Sequence, residues 1–226
     1  MREKLVYTLG ILGTLVMLFN LRTIFTVLPD EAMQGAIYRI MFIHIPAAID
    51  ADVFFFVALC TSVLFLAKKQ FIYDSISVAC IEVGAMLVLV NLITGSIWGR
   101  NQWGIWWAWD LRMTSQLMCF LLYLGYLLIR PSIPEPTQRA TMSAFISIFA
   151  FADVPLVLMA IRLPNVKTQH PGPVLETGQM APEFIPPFVI GIFALLLLGT
   201  ALVLVRLHQE TTRREIDSLR RELHSY

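Results

Sequence analysis

The sequence predicts an all-α fold: a polytopic membrane helix bundle of six transmembrane helices with both termini cytoplasmic. Three observations carry that prediction. Of the 226 residues, 57% are hydrophobic and only 15% charged, a balance that would expose too much apolar surface on a water-soluble globule. Six stretches, 5–28, 45–67, 75–97, 113–130, 141–162 and 185–205, reach the roughly 20 mostly apolar residues that a helix needs to cross hydrocarbon. With the N-terminus inside, eleven basic residues (Arg2, Lys4, Lys68, Lys69, Arg130, Arg139, Arg206, Arg213, Arg214, Arg220, Arg221) fall on the inner side. Six (Arg22, Arg39, Arg100, Arg112, Arg162, Lys167) fall on the outer side, the asymmetry that orients membrane proteins.

Taken in order, the first stretch carries Asn20 and Arg22 near its far end and has no small-residue cleavage site, so it reads as helix one and not as a signal peptide. The stretches are too long for barrel strands, and unsatisfied backbone groups in lipid demand helices. Helix two follows outer loop one, which ends in YRIMFIHIPAA (38–48). Helix three leads into outer loop two, WGRNQWGIWWAWDLR (98–112), and helix four into the Pro-rich inner turn RPSIPEPTQR (130–139). Helix five contains Asp153 just before Pro155, and outer loop three, LPNVKTQHPGPVLETG (163–178), leads to helix six. Residues 1–205 thus form one membrane domain, with 206–226 as a charged helical tail. In the tail, Glu210 with Arg214 and Asp217 with Arg221 stand at i,i+4 spacing. It reads either as a solvated helix end or as a docking site for a cytoplasmic partner. The formal net charge of +1 gives no reason to expect nucleic acid; membrane lipid is the expected surroundings. Cys60, Cys80 and Cys119 fall inside spans without CxxC or CxxCH spacing, so no thiol chemistry and no covalent heme attachment is expected of them.

The outer loops hold nearly all the unusual chemistry. All five tryptophans, Trp98, Trp103, Trp106, Trp107 and Trp109, lie within twelve residues, more than an interfacial aromatic belt requires. If the run after Gly104 is a short interfacial helix, 103, 106, 107 and 110 share a face. Three indoles and the Asp110 carboxylate then make either a platform for a planar aromatic ligand or a membrane anchor. Arg100 and Arg112 flank this platform. An arginine fork suits a carboxylate-bearing ligand, while Arg112 could equally pair with Asp110 or cap helix four.

Of four histidines, His208 and His224 lie in the tail, whereas His44 and His170 both lie at outer ends of spans. Two neutral imidazoles on opposite faces of a porphyrin could hold its iron. Zinc or copper would call for further ligands, and outer loop three offers only Glu176 and Glu183. The acids Asp50, Asp52, Glu82 and Asp153 inside spans could line a polar cleft, pair with Arg39 or Arg162, or relay protons.

GSIWGRNQWGIWWAWDLRMTS (95–115) resembles the tryptophan-rich WWD signature of heme-handling proteins, and the short six-helix form is similar to the CcmC family of cytochrome c maturation. YRIMFIHIPAA resembles that family's first outer histidine motif. The resemblance runs over essentially the whole chain, although AIRLPNVKTQHPGP lacks the tryptophan pair that many relatives carry before the second histidine. It implies a periplasmic heme site in the bacterial inner membrane. His44 and His170 would be axial ligands, with Trp98, Trp103, Trp106, Trp107, Trp109 and Asp110 as platform and Arg112 and Arg100 on the propionates. The cargo would be heme b, non-covalent and transient. It would be delivered to the periplasmic heme chaperone CcmE in company with the ABC-type subunits CcmA and CcmB and the small subunit CcmD. On this reading the chain is a transfer protein and not an enzyme. Two other readings stand beside it: a b-type redox protein, though the spans hold no histidine in their interiors, and a transporter working through Asp50, Glu82 and Asp153.

Overall fold

The computed structural model describes residues 2–163, 168–170, 172 and 180–223; Lys167, Glu176 and His224 lie outside the described residues. Among those described, the regular structure is helical: α1 (Arg2–Thr26), α2 (Met41–Lys68), α3 (Phe71–Trp103), α4 (Leu111–Ile129), α5 (Pro136–Phe151), α6 (Asp153–Met159) and α7 (Ile185–Leu223), with three short 3-10 turns at Ala36–Ile40, Arg130–Ser132 and Pro182–Phe184. Taking α5 and α6 together, six helical segments are long and apolar enough to cross a membrane, and the chain is a multi-pass membrane protein.

Local chemistry sets the helix ends. Lys69 closes α2 in the left-handed region, its N–H donating to the Phe65 carbonyl at 2.8 Å. Gly104 does the same service for α3 with φ +76°, a conformation that costs glycine little. Glu135 caps α5, its carboxylate accepting from the backbone N–H groups of Thr137 and Gln138 while Pro136 takes the first helical position. Those two donors hold the Glu135 carboxyl below the usual carboxylate range.

Three expectations change. The helix expected at 75–97 reaches Trp103, which puts Trp98, Arg100 and Trp103 on α3 and not in a loop. No helix forms over 105–110, so the shared face expected for 103, 106, 107 and 110 does not arise; the αL glycine at 104 turns the chain out of helical register. The fifth span is divided into α5 and α6 at Ala152, because Pro155 has no N–H to offer the Phe151 carbonyl. The charged tail is helical as far as Leu223 and continues the last span: α7 runs unbroken for 39 residues through Arg206, about 58 Å at 1.5 Å per residue.

The antiparallel pair α2 and α3 forms the centre of the bundle. α7 packs against both and carries α1 on its far side, while α4, α5 and α6 cover the other flank. Phe55 and Tyr123 stack at 3.7 Å between α2 and α4, in a core that includes Ala58, Cys80, Ile81 and Val88. Small residues let the helices approach closely, as lipid-embedded interfaces require. Cys80 and Cys119 are buried and Cys60 exposed, all three as free thiols.

Some polar residues inside the spans find specific partners, whereas both carboxylate oxygens of buried Asp50 make no hydrogen bond to any described residue. Glu82 pairs with Arg206 of α7 through two bonds of 2.5 and 2.7 Å; pairing with Arg39 or Arg162 is one of three roles that the sequence leaves open for the intramembrane acids. Arg39 instead pairs with Asp30 and donates to the carbonyls of Ile24 and Leu28. In the tail, Arg214 pairs with Glu210 at 3.2 Å as the spacing predicts, whereas Asp217 meets Arg220 at 3.9 Å.

Candidate functional site

His44 stands in the first turn of α2 and not in the preceding loop, one turn from the bundle's end. Its imidazole faces α3. Asn91, only 5% exposed, donates its amide to the His44 carbonyl at 2.9 Å and so ties the first turn of α2 to α3. The Thr94 hydroxyl lies 3.0 Å from His44 Nδ1. That hydroxyl has one proton, which it gives to an α3 carbonyl, Val90 at 2.7 Å or Asn91 at 3.1 Å. It therefore accepts from Nδ1–H, a tautomer assigned from the hydrogen-bond network, and the Nε2 lone pair faces the Asn91 amide nitrogen at 3.3 Å.

Gly95 makes room for this ring. A Cβ there would lie 2.8 Å from His44 Cε1, closer than packed side chains stand, and the rigid α3 backbone cannot yield. We expect Gly95→Ala to push the imidazole off its Thr94 partner and, by analogy with the loss of other outer-shell supports, to weaken ligand binding at His44 about 10- to 100-fold. A metal-protoporphyrin titration of the variant checks this; unchanged affinity would show that the ring has slack.

The tryptophans divide into two sets. Trp98 is buried and donates its indole N–H to Gln34 of the first outer loop at 2.8 Å; Trp103 packs edge-on against it at 5.0 Å. Trp107 lines the same cavity. Trp106 and Trp109 face outward, at 59% and 77% exposure. Arg100 donates to the Gly104 carbonyl and stands over the Trp106 ring at 6.0 Å, so it closes the end of α3 and braces the outward indole.

Asp110 joins two elements. One carboxylate oxygen caps α4, accepting from Met113 N–H at 2.9 Å. The other accepts from the Thr168 hydroxyl at 2.5 Å and from Gln169 N–H at 3.1 Å. Thr168 in turn accepts from the backbone N–H of His170 at 3.1 Å. The segment that carries the second histidine is thus fastened to the start of α4.

The result sets His44 and His170 opposite each other: their ring centroids are 6.4 Å apart with planes inclined by 28°, and Trp98 lies 6.4 Å from His170. Two imidazole–metal bonds of about 2 Å, plus an offset of about 1 Å from each ligating nitrogen to its ring centre, add to roughly 6 Å. The observed centroid separation is of that order. Among the described residues no group of three or more His, Cys, Asp or Glu side chains could hold a metal ion. Zinc centres take three or four protein ligands, more than the described residues bring together here. The cavity between the histidines is about 40 Å³, lined also by Asn91, Trp103, Trp107, Arg112 and Gln116. Arg112 brings the one guanidinium to that lining, anchored by a bond to the Val157 carbonyl of α6.

Of the residues singled out in the sequence, His44, His170, Trp98, Trp103, Trp107 and Arg112 surround this cavity. Asp110, Trp106, Trp109 and Arg100 do not line it. Sequence reasoning missed Asn91, Thr94 and Gly95, although a signal existed: 91, 94, 95 and 98 recur at i, i+3, i+4, i+7, marking one polar and small face on an otherwise apolar span. Gln34 carried no signal, since its role depends on how the first outer loop folds back over α3.

These features define a class: a six-span membrane protein with a facing pair of histidines and an indole-lined cavity at one end of the bundle. The profile of the CcmC family, heme exporter protein C, matches residues 1–222, and the chain belongs to that family. It is 33% identical over 194 residues to heme exporter protein C of Paracoccus denitrificans, covering 84% of this chain and 80% of the relative. It is 32% identical over 193 residues to that of Bradyrhizobium diazoefficiens, covering 84% and 73%. With heme exporter protein C of Escherichia coli K12 the identity is 27% over 179 residues, covering 79% and 72%.

Proposed function

We propose that the protein binds heme b as a non-covalent, transient cargo, held between His44 and His170, and passes it to a periplasmic heme chaperone of the CcmE kind for cytochrome c biogenesis. The observation that carries this reading is the pair of facing imidazoles 6.4 Å apart. A porphyrin supplies four in-plane nitrogens and leaves two axial positions, the number this site offers. The names borne by its relatives, heme exporter protein C, agree with it. Trp98, Trp103 and Trp107 give apolar walls for the macrocycle, with Trp106 and Trp109 as an outward apron. Arg112, on the cavity wall, would hold one propionate, and Arg100 would turn from the Gly104 carbonyl to hold the other. In this reading the protein sits in the inner membrane with these loops facing the periplasm. It works beside CcmA, CcmB and CcmD of an ABC-type complex and acts by transfer, not by catalysis.

The cavity of about 40 Å³ is far below the roughly 300 Å³ of even a small ligand pocket. Loading therefore moves the segment around His170 outward, while His44, fixed on α2 and buttressed by α3, stays in place. A hinged partner and a fixed partner suit a cargo that must be taken up and given away.

The test is a titration of the purified chain with hemin, followed by addition of the acceptor chaperone. We expect one equivalent of hemin to bind with a low-spin, bis-imidazole absorption spectrum and to move to the acceptor. A chain that takes up no hemin would overturn the reading.

A further inference from the structure

We infer that the pocket at the opposite end of the bundle, between the ends of α3, α4, α5 and α7, is a binding site for the phosphate headgroup of an anionic phospholipid. The pocket has a volume of about 120 Å³. Five arginines reach it, and they fall into two groups.

Three are committed to carboxylates. Arg130 holds both oxygens of buried Asp74, at 2.9 and 2.6 Å, and meets Glu210 at 3.0 Å. Arg214 joins the same two acids, and Arg206 is bidentate on Glu82. The other two, Arg139 from the first turn of α5 and Arg213 from α7, make no ion pair with any described residue. The remaining acid on the wall, Asp217, meets Arg220. Two uncommitted guanidinium groups from different helices thus converge on a hollow whose floor is already neutral, and the buried Nε of Arg214 has no hydrogen-bond acceptor. A singly charged phosphodiester with two free oxygens completes this arrangement, since guanidinium forks match phosphate geometry.

Position selects a lipid over a soluble anion. Val78, Leu127 and Pro131 form the rest of the wall, and Leu128 and Ile129 beside it are exposed at 67% and 48%. Apolar surface therefore continues from the pocket's mouth along the flank of the bundle where acyl chains lie. Basic pockets between helix ends at a membrane surface are suited to acidic lipid headgroups.

The experiment uses the full chain in detergent, with native mass spectrometry in equimolar phosphatidylglycerol and phosphatidylcholine, wild type beside the double variant Arg139→Gln, Arg213→Gln. We expect wild type to retain phosphatidylglycerol preferentially. The double variant should lose about 30-fold in that preference, roughly fivefold for each charge removed. Its melting temperature without lipid should stay at the wild-type value, because neither arginine is tied into the folded network, so lost binding is separable from misfolding. Equal retention of the two lipids by wild type would overturn the proposal and leave the hollow to an acidic protein segment. Inorganic phosphate displacing the lipid at millimolar concentration, and protecting the protein as well alone, would overturn the lipid assignment in favour of a soluble anion.

Discussion

Alanine at either His44 or His170 is expected to lower heme affinity by more than the roughly 10- to 100-fold that loss of an outer-shell support costs, and to convert the low-spin bis-imidazole spectrum to a five-coordinate one. Each single variant keeps the other axial bond, and the double variant, which has neither, should bind worse than either single one. The two positions should nonetheless differ in rescue. His44 sits in a slot shaped by Gly95 and Thr94, so free imidazole should enter the space left by His44→Ala and restore the low-spin band. His170 sits on a segment fastened by hydrogen bonds to Asp110, and its removal leaves an open rim that holds added imidazole poorly. Absorption spectra with and without imidazole check both statements. Heme content unchanged in both single variants would remove the histidines from the site.

Arg130→Ala is expected to destabilise the bundle by about 3–5 kcal/mol, because it strands the buried Asp74 carboxylate. For a chain of this size that corresponds to a fall in melting temperature on the order of 10 °C. The pair is bidentate, with side chains only 8% and 2% exposed, so solvent screens little of the interaction. Arg214 also touches Asp74 and keeps part of the compensation, which places the effect toward the lower end of the range. Arg130→Lys should recover less than half of the loss, since an ammonium cannot satisfy both oxygens in the plane of the carboxylate. Thermal unfolding in detergent followed by intrinsic fluorescence reads this; a shift below 2 °C would show that the network holds itself together without Arg130.

Much of the architecture was legible because lipid imposes a coarse rule. Stretches such as 45–67 and 185–205 announce themselves by length and apolarity alone, and the structure has all six. What escaped were features decided by single residues. Gly104, not the run of tryptophans after it, ends α3 and prevents the interfacial helix. Pro155 divides the fifth span. The unbroken α7 was hidden because the change from apolar to charged residues at Arg206 looks like a boundary, although a helix that leaves the membrane changes its solvent and not its hydrogen bonding. At the site, His44, His170 and Trp98 were recognisable as residue types out of place in their surroundings. Asn91, Thr94 and Gly95 became meaningful only once α2 and α3 were laid side by side. Asp110 was singled out for its place in a motif, yet its two oxygens act on α4 and on the segment before His170.

That double use of one carboxylate makes the Asp110 attachment a detent. Lifting residues 168–170 breaks two hydrogen bonds to a charged acceptor, each of roughly 1.5–3 kcal/mol net. The cap on α4 uses the other oxygen and survives. The helix therefore keeps its start while the segment swings, and the same oxygen waits in the same place for its return. Opening by this route would cost a few kcal/mol in all, within reach of local opening on the microsecond-to-second scale.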